Sequence, residues 1–263
     1  MPHLDLGDIC LHYEEHGVGR PILCLAELGG STRTWRHVVG ALAQDHRLLL
    51  LDIRGTGRSE KPCQPYSMDN IADDVQRFLT RQGIDSIDIM GCAMGSIVAL
   101  EVALQAPALV RSLLLCSVSP DIPEKTRLYA GQRASDIRAG GMRVASHTSA
   151  ELSFPEGIAL PFAVARSEYE GDFLANDPGA YAALTEALLD WQGGPRLASI
   201  ACPCLCLAGD QDFMWDPAVV EAATRALPNA SFDVVEAAGH FPPLSSPDGF
   251  LAKARAFLDS RPD

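Results

Sequence analysis

Short apolar runs alternate with polar, glycine-containing breaks along most of the chain, and the spacing of the apolar positions changes from one kind of segment to the next. "PILCLA" (21–26), "RLLLLDI" (47–53), "IDIMG" (87–91) and "VRSLLLCSV" (110–118) are continuous apolar stretches of strand length. Such runs suit strands buried on both faces. Between them the apolar spacing lengthens to three and four, predicting helices over 34–43, 68–82 and after residue 93. An N-terminal hairpin is predicted over 4–15. The alternation resumes with "CPCLCLAGDQD" (202–212), a helix over 218–226, the strand "SFDVVEA" (231–237) and a last helix over 247–258. Strands alternating with helices imply βαβ units, and so an α/β fold with a mostly parallel central sheet and helices on both faces.

One segment breaks the rhythm. Residues 121–197 have helical patterning and no clear strand. An insertion of that length between consecutive strands is usually a lid over a site. The expected organisation is a core of residues 1–120 and 198–263, with a helical lid, 121–197, inserted before the last two strands, all in one structural unit.

Composition narrows the function classes. Apolar residues make up 47% of the 263, enough for a sizeable core. No apolar run approaches the roughly 18 residues of a membrane span. The opening "MPHLDLGDICLHYEEHG" has neither a basic nor an apolar leader region. A formal charge of −13 disfavours nucleic acid and anionic membranes as partners. Five of the eight cysteines, Cys24, Cys116, Cys202, Cys204 and Cys206, lie in or beside strand-like runs, where a free thiol acts as a small hydrophobe. The period-two trio Cys202, Cys204 and Cys206 would need loop geometry and a histidine partner to hold a metal. The expectation is a cytoplasmic protein with reduced thiols and no metal. No cofactor is expected, because neither a dinucleotide fingerprint nor a phosphate loop with its lysine is present.

The chemistry-bearing residues cluster at strand ends. "DIMGCAMGSIVAL" (88–100) runs from a strand through Gly91-Cys-Ala-Met-Gly95 into a helix. This is the Gly-x-Ser-x-Gly pattern of a nucleophile elbow with Ala93 at its centre. A methyl group cannot attack a carbonyl. "AAGHFPP" places His240 on a turn ahead of the final helix, where a general base would reach the elbow. "LAGDQD" places Asp210 and Asp212 at the carboxyl end of a strand, where sites of open α/β sheets lie. Asp212 is the better candidate to orient His240; Asp210 suits a turn cap, and Asp121 is the rival acid. Cys92 precedes the elbow tip, so its thiol should point away from His240.

The order Ala93, Asp212, His240 follows the Ser, Asp, His order of α/β-hydrolases, and the chain resembles that superfamily along nearly its whole length. "DIRGTGRSEKP" (52–62) is similar to the superfamily's Asp-x-Arg-Gly-x-Gly-x-Ser turn, in which Asp52 and Arg54 are read as structural. The lid, with "GDFLANDPGAYAALTEAL" (171–188), most resembles the 3-oxoadipate enol-lactonase-like branch. The resemblance also implies an oxyanion hole after the third strand, at a His-Gly-x-Gly motif. Here Ala26 and Glu27 replace His-Gly and Leu28 stands at x, so the implied donors are the backbone N–H groups of Leu28 and Met94. Glu27 reads either as a solvated or arginine-paired loop carboxylate, or as a carboxylate beside the empty nucleophile position.

Three readings of Ala93 follow. In the first, an engineered Ser-to-Ala change has silenced a serine hydrolase of a small lactone, ester or related acyl compound. In the second, the chain is a natural serine-free hydrolase of carbamate- or enamine-type substrates. His240 with Asp212 then deprotonates water, and Glu27 orients that water or a substrate nitrogen. The superfamily's aminoacrylate/carbamate hydrolase of uracil breakdown, with Ala in a "GHALG" context, is a precedent. In the third, the scaffold binds a small molecule without turnover. Trp191, Tyr169 and Phe173, with Tyr181, are candidates to line the substrate pocket. Whether the substrate is a carboxylate turns on which of Arg133, Arg138, Arg143 and Arg166 faces inward, which periodicity leaves open, as it does the oligomeric state.

Overall fold

The computed structural model describes residues 2–63, 65–119, 122–154 and 160–260. Eight strands form one sheet: β1 (His3–Asp5), β2 (Cys10–His16), β3 (Arg20–Leu25), β4 (His46–Leu51), β5 (Ile87–Cys92), β6 (Val110–Cys116), β7 (Cys204–Gly209) and β8 (Ala230–Val235). Their order is β1-β2-β4-β3-β5-β6-β7-β8. The first two pairings, β1 with β2 and β2 with β4, are antiparallel. Every later one is parallel. The helices are α1 (Val39–Leu42), α2 (Met68–Arg81), α3 (Met94–Gln105), α4 (Glu124–Gly140), α5 (Ser146–Ser153), α6 (Leu160–Leu174), α7 (Pro178–Asp190), α8 (Pro217–Thr224), α9 (Pro242–Ser245) and α10 (Pro247–Asp259). This is the α/β-hydrolase architecture that the resemblance implies, with helices α4 to α7 inserted between β6 and β7. None of the described helices is long and apolar enough to cross a membrane.

Strand periodicity explains why both faces of the sheet are covered. Successive side chains point to opposite faces. Leu23, Leu25, Leu49, Leu51, Ile89, Leu113 and Leu115 therefore pack with α2 and α3 residues such as Ile71, Phe78, Ile97 and Val98. Their alternates Ile22, Cys24, Leu48, Leu50, Met90, Cys92, Leu114 and Cys116 pack with Leu42, Leu244, Phe250 and the insertion residues Phe154, Tyr169 and Phe173. Cys204 and Cys206 are buried on the α2/α3 face, and no disulfide joins any of the eight cysteines. The helices start where the sequence supplies caps. Ser67 accepts from the Asn70 N–H while Asn70 returns the bond, opening α2. Asp177 and Asp216, each followed by proline, open α7 and α8.

One predicted element is replaced. In place of a helix over 34–43 the chain makes a 3-10 turn, Thr32–Trp35, and then the single helical turn of α1. Thr32, Thr34, Val38 and Val39 are β-branched and weak in helices. Two of them are held by neighbouring acids. The Thr32 N–H donates to Asp52 at 2.7 Å and the Thr34 hydroxyl to Glu27 at 2.8 Å. Tertiary hydrogen bonds thus take the groups a regular helix would have arranged otherwise.

The Asp52 turn is structural. Its carboxylate accepts from the N–H groups of Thr32 and Arg58 and meets His12 Nδ1 at 3.0 Å. Arg54 forms a two-point pair with buried Asp74.

Candidate active site

The elbow between β5 and α3 is sterically determined. Ala93 has φ 48°, a left-handed conformation at a non-glycine residue. A Cβ at Gly91 would stand 2.5 Å from the Ser96 nitrogen, and one at Gly95 would stand 2.6 Å from the Ala26 carbonyl oxygen and nearer still to that of Leu25. Both glycines are needed for this strand-to-helix turn to fit against the end of β3. The turn puts the Ala93 methyl on the wall of a cavity of about 130 Å³, together with Glu27, Leu28, Met94 and His240.

His240 comes from the loop between β8 and α9. Its peptide N–H donates to the Ser153 carbonyl at 3.2 Å, and its own carbonyl accepts from the Ser117 hydroxyl at 2.8 Å. Two segments thus hold its backbone: the end of β6 and the end of α5 in the insertion. Neither residue is conspicuous in the sequence. Ser117 has φ 51°, a conformation that a non-glycine sequence gives no sign of.

The His240 Nδ1 lies 2.8 Å from Asp212 Oδ2. Asp212 Oδ1 accepts the N–H groups of Met214 and Trp215, each at 2.9 Å. Burial works to raise the Asp212 pKa, but the imidazole and these two N–H groups outweigh it and hold the carboxyl below its ordinary value. Asp210 instead accepts the Ala238 N–H at 3.0 Å, as a turn cap. Asp121 lies outside the described residues.

Two backbone donors face the same space. The Leu28 and Met94 N–H groups have no hydrogen-bond partner among the described residues, and Met94 is the first residue of α3, where the helix dipole is positive. Unengaged N–H groups beside an elbow can stabilise a developing oxyanion without rearrangement.

Glu27 is 2% exposed, so it is not a solvated loop carboxylate. Its side chain folds beneath its own loop, over Gly30, where a Cβ would come within 2.5 Å of the carboxyl carbon. Burial pushes its pKa up to about 7, opposed by its own N–H, the Thr34 hydroxyl, Arg36 and His240. Cys92 is wholly buried and packs into the core. Burial, with Cys116, Glu27 and Asp212 nearby, pushes its thiol well up, which suits an inert thiol.

Of the three aromatic residues expected at the pocket, one lies on the cavity wall. Tyr169 lines the cavity with Tyr181. Phe173 sits behind them, 5.3 Å from the Tyr181 ring centroid. Trp191 is not on the cavity wall: its indole N–H donates to buried Glu101 on α3 at 2.9 Å, beside the Arg196 pair to the same carboxylate. A buried indole N–H and a buried carboxylate satisfy one another, so Trp191 ties the insertion to the core. Among the described residues no group of three or more His, Cys, Asp or Glu side chains is placed to hold a metal.

Comparison with known proteins agrees with this fold. A family model described as the alpha/beta hydrolase fold matches residues 20–247. A proposed carbamate hydrolase, RutD, of Azorhizobium caulinodans is 33% identical over 255 residues, covering 95% of each chain. The 3-oxoadipate enol-lactonase 2 of Acinetobacter baylyi is 25% identical over 253 residues, covering 95% of this chain and 94% of the relative. Among solved structures, the enol-lactonase of Burkholderia xenovorans has a TM-score of 0.91 at 23% identity, covering 98% of this chain and 100% of the other. A thermophilic esterase of Thermogutta terrifontis has a TM-score of 0.88 at 23% identity, covering 96% and 94%. Likeness at that identity shows the fold alone.

Proposed function

The chain belongs to the α/β-hydrolase fold family, and we propose that it is a serine-free hydrolase of small carbamate-, enamine- or lactone-type acyl compounds. One observation carries this reading. An assembled His240–Asp212 pair and two unengaged N–H donors surround a methyl group, with buried Glu27 on the same wall. Similarity to the proposed carbamate hydrolase over nearly the whole chain supports the substrate class.

Asp212 accepts a hydrogen bond from the Nδ1–H of His240, leaving Nε2 as the basic nitrogen. Nε2 takes a proton from a water whose oxygen attacks the acyl carbon. The carbonyl oxygen becomes an oxyanion held by the Leu28 and Met94 N–H groups. Collapse of this intermediate re-forms the carbonyl and breaks the bond to the leaving group, which receives the proton from His240. Glu27 orients the attacking water or a substrate nitrogen. Labile substrates suit such a route, because a covalent intermediate is dispensable for them.

One observation favours a second reading, in which Ala93 stands in place of a serine nucleophile: the elbow keeps the φ of 48°, from which alanine gains nothing. Activated esters, lactones and carbamates, assayed with the chain as it stands and with Ala93→Ser, separate the two. Turnover by the unaltered chain that His240→Ala abolishes supports water attack. Activity confined to Ala93→Ser, with an acyl-enzyme detectable by mass, supports the second reading. Tight binding of a small molecule without turnover in either protein overturns both.

A further inference from the structure

We propose that Arg133 is the anion-binding residue of this cavity, and that the substrate is an acyl compound bearing a carboxylate. The Arg133 guanidinium would hold that group while the scissile bond lies over Ala93. The substrate part of this inference rests on the hydrolase reading above.

Arg133 projects from α4 and lines the cavity that Ala93 and His240 also line. Its guanidinium lies 5.5 Å from the Phe173 ring centroid and 5.7 Å from that of Tyr181. One terminal nitrogen donates to the Ser149 hydroxyl. The Nε is buried with no hydrogen-bond partner, and no carboxylate pairs with Arg133 among the described residues. That is unusual in a chain with 34 acidic against 21 basic side chains. Elsewhere on the insertion, Arg138 pairs with Glu186 and Arg166 with Glu170, while Arg143 is exposed. The arginine that lines the cavity thus has no anionic partner among the described residues.

Arg133 is half-buried, and a cation that loses part of its hydration is favoured by an anion or fuller hydrogen bonding. Aromatic rings stabilise a guanidinium through its charge but accept none of its N–H groups. They hold the fork in place and leave its edge to a planar, two-oxygen acceptor. The same rings bear on the oxyanion loop. A Cβ at Gly29 would lie 3.1 Å from the Tyr181 ring and 3.3 Å from that of Phe173. The anion site and the Leu28 donor are thus spaced by one rigid aromatic layer. A single guanidinium beside a hydroxyl, in a small cavity with Glu27 on its wall, matches one carboxylate better than a phosphate dianion, which calls for more cations and donors.

The test uses succinamate and succinamide, which differ by one carboxylate, in calorimetric titrations of the full chain at fixed ionic strength. Saturable binding of succinamate at least about 10-fold tighter than succinamide is expected. Arg133→Gln should erase that preference, Arg133→Lys should keep part of it, and Arg138→Gln should leave it unchanged. Circular dichroism and melting temperature establish that each variant is folded. Equal or absent binding of the two compounds by the unaltered chain overturns the proposal, as does a preference that survives in folded Arg133→Gln. If Arg133→Gln does not fold, loss of the preference in folded Arg133→Lys supports the proposal and full retention there overturns it. Arg133-dependent binding in a chain that hydrolyses no acyl compound would remove the hydrolase reading and leave the anion site standing. Turnover of neutral and anionic esters at equal kcat/KM would do the reverse.

Discussion

The imidazole of His240 and the carboxylate of Asp212 meet at 2.8 Å, and the second oxygen of Asp212 is occupied by the N–H groups of Met214 and Trp215. With both oxygens committed, the carboxylate cannot swing away from the ring. Being depressed in pKa it acts only as an acceptor, so the Nδ1 proton is fixed and Nε2 stays basic. Asp212→Asn replaces a charge by a dipole and permits the opposite tautomer. Turnover should fall about 100-fold or more, with little change in substrate binding, as a kcat-against-KM comparison would show.

Glu27 makes the stability of the protein depend on pH in a direction unusual for a carboxyl. Its pKa rises from 4.5 in a free chain to about 7 in the fold, because burial disfavours the charge. Between those values the folded chain keeps a proton that the unfolded chain has released. Stability therefore falls as pH climbs through that window and levels off above it. Glu27→Gln keeps an acceptor for the Thr34 hydroxyl and removes the charge. It should be more stable than the parent above pH 7, by up to roughly 3 kcal/mol, with the advantage vanishing near pH 4.5. Urea unfolding at pH 4.5, 6 and 8 measures this, and a pH-independent difference would contradict it.

Gly95 is required by the backbone it faces. A methyl there would stand 2.6 Å from the Ala26 carbonyl oxygen, and neither β3 nor α3 can yield without disturbing the sheet. Gly95→Ala should cost about 3 kcal/mol or more. The unfolding midpoint should drop, and His240-dependent activity should be lost with it.

Trp191 tests the division between anchoring and binding. Trp191→Phe keeps an aromatic ring but deletes the indole N–H that reaches Glu101. A hydrogen bond to a charged acceptor contributes about 1.5–3 kcal/mol, so the melting temperature should fall by a few degrees. The KM for any substrate found should stay unchanged, since Trp191 is off the cavity wall. A large rise in KM at unchanged stability would return Trp191 to the pocket.

Much of the architecture is written locally. Runs such as "RLLLLDI" and "IDIMG" can satisfy their backbones and bury nearly every side chain only as inner strands of a mostly parallel sheet. Gly91 and Gly95 around Ala93 announce the tight turn at the end of β5, and the order of Ala93, Asp212 and His240 along the chain announces which strand ends must converge. Where the code is weak, tertiary contacts decided. The β-branched segment 32–39 became a 3-10 turn and one short helix because Asp52 and Glu27 claimed its polar groups. Trp191 and Arg133 show the same limit on the insertion. Both lie on patterned helical segments, and nothing in that pattern tells which is turned toward Glu101 and which toward the cavity. Periodicity reports which face of a helix is apolar. It does not report what that face meets, because the partner comes from a distant part of the chain. The sequence by itself determined that strand ends carrying Glu27, Ala93, Asp212 and His240 would gather at one edge of a sheet. Only the tertiary structure decided that Glu27 would be buried beside the elbow and that Arg133 would line the same cavity with no counter-ion among the described residues.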